Sequence, residues 1–119
     1  MEELEKFIGK NQLQAMRPKG FDSVKQRMID TFRSMPKTYE QDGKGDKAVA
    51  YLHYFHSSID WYITEKDMEE EQLQAFGLVS FHGQCPEIGY ISIPELLDND
   101  IEIDLYFEPK TLCEIKKQL

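Results

Sequence analysis

Carboxylates have the widest chemical reach among the residues of this sequence. Glu65, Glu87 and Asp104 sit among its apolar, strand-like runs. Three carboxylates converging on one side of a sheet can bind Mg²⁺ or Mn²⁺ through oxygen, and two with separated proton affinities can serve as acid and base. That is the chemistry of a small metal-assisted hydrolase. The ordinary role of such residues is to end a strand, accepting backbone N–H bonds or facing water, and this is the expected role of each; no metal or cofactor is expected.

A second acidic set suggests recognition rather than catalysis. Asp100, Glu102, Asp104 and Glu108 recur with strand spacing, and same-face neighbours on a strand lie about 6.5–7 Å apart. That is close to the step between alternate phosphates of a nucleic-acid strand, about 7 Å. Asp67, Glu69, Glu70 and Glu71 add charge in a preceding loop. Together they form a candidate surface for a basic protein partner, weighed against an ordinary solvated face that guards a sheet edge.

The remaining chemistry is sparse. His53 and His56 differ by an odd number, so on one strand they face opposite ways and do not share a metal; His82 falls in a turn. Cys85 and Cys113 are well separated, with no CxxC pair, so neither a zinc site nor a disulfide is expected. Gly43-Lys44-Gly45 is too short for a phosphate loop. Tyr51, Tyr54, Phe55, Trp61 and Tyr62 are mostly core candidates, and those facing away from the helix side could form a binding patch.

The elements that position these residues follow from periodicity. Leu4, Phe7 and Ile8 predict a short helix in a segment, residues 1–20, that could be a loosely attached arm ending at Arg17-Pro18-Lys19-Gly20. Phe21, Val24, Met28, Ile29 and Phe32 predict a helix over about 21–35, with Asp22 or Ser23 as cap and a stop before Pro36. After a polar loop, residues 48–119 read as a sheet region: strands at Val49–Phe55, Ile59–Thr64, Leu73–Phe81 with a bulge at Gly77, and Pro86–Ile93. Pro94 starts a single helical turn. Ile101, Ile103, Leu105 and Phe107 alternate with Glu102, Asp104, Tyr106 and Glu108, which predicts a half-buried strand. Thr111 is a candidate cap for a last short helix. Short connections impose antiparallel pairing. The expected fold is therefore a single α+β domain over residues 1–119. A four- or five-stranded antiparallel, meander-like sheet carries an N-terminal helix on one face and a short C-terminal helix.

Charge divides the chain. Its net charge is −8, yet residues 1–48 carry ten Lys or Arg against eight acids, and residues 49–119 carry four Lys against fourteen acids. The second part repels a phosphate backbone, so direct nucleic-acid binding is not expected. No apolar run reaches the roughly 18 residues of a membrane span, and the acidic opening residues predict no export and a cytoplasmic location.

Several runs are similar to a known family. Trp61-Tyr62-Ile63-Thr64-Glu65, Phe76-Gly77-Leu78-Val79, Pro86 through Leu96, and Ile103-Asp104-Leu105-Tyr106-Phe107 resemble a bacterial family known as domain of unknown function 2958, over about residues 49–112. The resemblance implies the context of plasmids, conjugative elements and phages, and carries no catalytic residues with it. The functional expectation is a non-enzymatic accessory protein of a mobile genetic element that binds another macromolecule. One form is an acidic nucleic-acid mimic inhibiting host defence, as anti-restriction or anti-CRISPR factors do. The alternatives are the hydrolase above and a dimerisation or scaffold module.

Overall fold

The computed structural model describes residues 2–82 and 84–119, apart from the side chains of Glu2 and Cys85. Two short helices, α1 (Glu2–Glu5) and α2 (Lys10–Ala15), open the chain. Helix α3 (Asp22–Ser34) follows a 3-10 turn at Lys19–Phe21. Neither Asp22 nor Ser23 caps α3: the N-cap is Phe21, without a side-chain cap. The preceding turn supplies carbonyls instead, Pro18 to the Phe21 N–H and Lys19 to the Asp22 N–H. Helix α3 stops at Ser34, two residues before Pro36, and the Lys66 ammonium donates to the carbonyls of Phe32 and Arg33 at its open end.

The strands are β1 (Val49–Ala50), β2 (Leu52–His56), β3 (Ile59–Glu65), β4 (Ala75–Phe81) and β5 (Gln84–Ile91). After helix α4 (Ile93–Asp98) come β6 (Glu102–Ile103), β7 (Lys110–Thr111) and helix α5 (Leu112–Gln118). Five of the strands form one antiparallel sheet in the order β5-β4-β3-β2-β6, and β1 pairs with β7 beside it. The predicted α+β class and antiparallel sheet are what the chain adopts. The hairpin β2–β3 turns on two residues, with Ser57 in the left-handed region at φ 52°. This fixes the register that places His53 opposite Tyr62 and Phe55 opposite Asp60.

Three local expectations fail for physical reasons. The run Val49–Phe55 is broken at Tyr51, whose N–H bonds to Ile63 while the strands on either side find different partners. Gly77 is not a bulge: the irregularities fall at Ile63/Glu65 and Val79/Phe81. Gly77 is instead a point of close approach, because a Cβ there would sit 1.9 Å from the Tyr62 carbonyl oxygen. Finally, the alternation over 101–107 produces a strand only at Glu102–Ile103. The Asp104 carboxylate accepts the Tyr106 N–H at 3.0 Å and turns the chain, which is the local competition Asp offers a strand ladder.

Because side chains alternate across a sheet, each face has its own cover. On one face, Leu52, Tyr54, Ile63 and Ala75 pack against Leu4, Phe7, Ile8, Met28 and Phe32 of the helical layer. Residues 1–20 thus contribute Leu4, Phe7, Ile8 and Met16 to the main core. The Tyr54 hydroxyl donates to the Phe7 carbonyl at 2.5 Å, and the Phe7 and Phe32 rings stack 4.4 Å apart. Gln12 donates to the Ile103 carbonyl (2.8 Å) and accepts its N–H (3.0 Å), serving as a one-residue partner for the free edge of β6. On the opposite face, α5 packs Leu112 and Ile115 over Leu78, Ala48 and Ala50, bordered by Tyr62 and Phe107. Helix α5 opens with a complete capping box, Thr111 and Glu114.

Candidate functional site

The topology keeps Glu65, Glu87 and Asp104 apart. Glu87 lies exposed on β5 and Asp104 follows β6, and these strands are the two edges of the sheet. Four strand spacings separate them, on the order of 19 Å. Glu65 is buried at the end of β3, where it accepts the Tyr39 N–H at 2.7 Å and the Thr64 hydroxyl at 2.9 Å. Among the described residues no three His, Cys, Asp or Glu side chains are grouped as a metal ion requires.

The loop acids divide in the same way. Asp67 is buried and holds the 66–74 loop, accepting the N–H groups of Glu69 (3.1 Å) and Gln74 (3.0 Å). It presents no carboxylate to a partner. Glu69, Glu70 and Glu71 are exposed, and two of them meet acids that are distant in sequence. Glu70, Glu71, Asp98, Asp100 and Glu5 line one open groove of about 670 Å³ with Lys6 and Lys10, over a floor that includes Ile8, Pro94 and Leu97. Among the described residues, Lys6 alone pairs with one of these acids, at 3.5 Å from Glu70. Asp100 is held by a left-handed backbone (φ 58°) and accepts from the Asn11 amide. Glu102 and Glu108 are exposed outside this groove, so the expected straight row from Asp100 to Glu108 does not form.

Asp104 belongs to a cluster centred on His53. Asp60 Oδ1 lies 2.7 Å from His53 Nε2, and Asp104 Oδ2 lies 3.4 Å from Nδ1. The imidazole stacks on Tyr62 and meets Phe107 at 5.5 Å. Burial, followed by the negative charges of Asp60 and Asp104, pushes the Tyr62 hydroxyl up to about 12. The cluster was legible in principle: a two-residue turn at Ser57-Ser58 sets His53 against Tyr62, with Asp60 one same-face step away. It is closed chemically, because both ring nitrogens face carboxylates and neither is left for a substrate. Ser80, opposite Asp60 on β4, is fully buried, with no hydrogen-bond partner among the described residues.

Fold and site together define a small α+β domain with a five-stranded antiparallel sheet, a structural histidine cluster and an open acidic groove. No described helix is long and apolar enough to cross a membrane. The chain belongs to the family described as "Protein of unknown function (DUF2958)", whose model matches residues 21–116. The match includes α3, beyond the span suggested by the strand motifs, and leaves out the α1–α2 segment. Neither the curated proteins nor the solved structures include a match to the chain.

Proposed function

We propose that this protein acts without catalysis, by binding a protein that presents a basic surface. The observation that carries this reading is the groove that brings Glu70 and Glu71 together with Asp98 and Asp100. Two segments nearly thirty residues apart in sequence converge there, and five carboxylates outnumber two lysines. Such an excess of one charge steers association and makes it salt-dependent. In its finer form, the protein is an accessory of a bacterial mobile element, and its partner is the nucleic-acid channel of a host-defence nuclease. The groove carboxylates, with Glu102 beside them in sequence, occupy positions otherwise taken by phosphates.

The test is inhibition of a panel of purified restriction and CRISPR nucleases acting on plasmid DNA. Inhibition of at least one enzyme, weakening as salt rises and lost in the E71K/D98K double variant but retained in E87K, supports the reading. A folded double variant that inhibits as well as the parent chain removes the groove from the mechanism. Failure to inhibit any enzyme removes the defence-nuclease form.

A second reading rests on strand β5, which among the described residues pairs only with β4 and leaves Ile88 and Tyr90 exposed. An open strand edge is a template for pairing with another chain, and self-association through it would make the protein a dimerisation module. Light scattering of the parent chain and an I88K variant tests this: a dimer that becomes a monomer supports it, and a monomeric parent chain excludes it.

A further inference from the structure

Helix α4 is a ridge between two clefts. On one side is the acidic groove, with Pro94, Leu97 and Asp98 from the helix. On the other side, the face of the sheet that packs against α1–α3 is left partly open. Ile59, Trp61, Val79 and Ile91 meet Leu96 there in a cleft of about 450 Å³. Its polar rim holds Glu95, Asn99 and His56, and among the described residues no Lys or Arg lines it. Trp61 and Val79 border the main core but stay partly exposed.

We infer that the two clefts form one docking surface for a Lys- or Arg-bearing peptide segment of a partner protein, with a single bulky apolar side chain anchored against Trp61. This rests on the acidic-groove reading and deepens it by specifying what the partner must carry. Charge complementarity selects the occupant: carboxylates flank α4 on both sides, five in the groove and Glu95 at the apolar cleft, and they favour a cationic segment over an anionic one. Tryptophan-lined apolar pockets are where interface energy concentrates, whereas peripheral charges mainly set the association rate and its salt dependence. The apolar anchor therefore governs dissociation, and the basic residues govern encounter.

Trp61 is the sole tryptophan and reports directly on the cleft. The experiment titrates the full chain with a short Lys/Arg/Ser peptide, and with a set in which one Leu replaces each Ser in turn. Affinity is measured by calorimetry and cleft occupancy by Trp61 emission. The expected result is that Leu at one or two positions tightens binding about tenfold, the equivalent of roughly 1.4 kcal/mol. Those peptides alone blue-shift Trp61, and all the peptides bind more weakly as salt rises. If every peptide binds equally and Trp61 stays silent, the anchoring inference is overturned while the acidic groove stands. If no peptide binds at millimolar concentration and low salt, both readings fall.

Discussion

The imidazole of His53 lies flat on the phenol of Tyr62, with ring centroids 4.5 Å apart and planes 5° apart. The same imidazole separates Asp60 from Asp104. A carboxylate only accepts hydrogen bonds, so replacing the ring with a methyl group leaves two acids facing a gap. His53→Ala is expected to cost about 1 kcal/mol, the low end of the range for a polar group deprived of its partner, because Asp60 and Asp104 are only half-buried. Urea unfolding measures this. Adding Asp60→Asn to the His53→Ala variant is expected to recover part of the loss, and strictly additive costs would show that the residues are not coupled.

Tyr62 and Tyr54 couple the fold to alkaline pH. Burial raises both hydroxyls above the ordinary tyrosine range, Tyr62 to about 12. The folded state therefore favours the protonated phenols. Their contribution is complete below about pH 10, the ordinary tyrosine value, and declines as pH rises towards 12. Thermal melts from pH 8 to 12 are expected to show a falling midpoint above pH 10. The fall becomes shallower in Tyr62→Phe; an identical slope in that variant would remove Tyr62 as a cause.

Gly77→Ala is expected to be among the most damaging single substitutions. Its Cβ would lie 1.9 Å from the Tyr62 carbonyl oxygen, a backbone atom that cannot rotate away. Separating the paired strands β3 and β4 places the cost at about 4 kcal/mol or more. Circular dichroism and denaturant titration decide this, and a loss under 1 kcal/mol would show that the strands part without penalty.

Phe7 lies outside the family match and is fully buried. It stacks on Phe32, and its carbonyl receives the Tyr54 hydroxyl. Phe7→Ala is expected to cost about 3–5 kcal/mol, as large buried aromatics do. Unfolding midpoints of this variant and of Tyr54→Phe would separate the ring's packing from the hydrogen bond.

Thr111→Ala removes half of the capping box on α5 and is expected to cost about 1 kcal/mol. Amide exchange in α5 should accelerate more than in β3, since the loss is local to the cover of the second core.

Residues whose partners are near in sequence were the most legible. Ile59, Trp61 and Ile63 announce β3, Pro36 sets the end of α3, and Thr111 announces α5. Asp104 shows where hydropathy misleads: its alternation with Ile103 and Leu105 is that of a strand, but its side chain closes a turn that hydropathy does not register. Glu65 takes the strand-end role its position suggests, accepting the Tyr39 N–H, whereas Asp67 reads as a solvated acid, because a sequence displays the carboxylate and not the backbone N–H that waits for it. The acidic groove was half legible. Glu70, Glu71 and Asp100 stood out by charge, but only the path of α4 brings Asp98 and the loop together.

The bond between Gln12 and Ile103 has a consequence for the order of events at the ribosome. The two residues are 91 positions apart, so at about 5–20 residues per second Gln12 emerges roughly 5 to 20 s before its partner. During that interval Phe7, Ile8 and Met16 have no completed sheet to settle on. Helices α1 and α2, made before the sheet they cover, are thus secured only after it, and the nascent chain leaves their greasy side chains uncovered until Ile103 is translated.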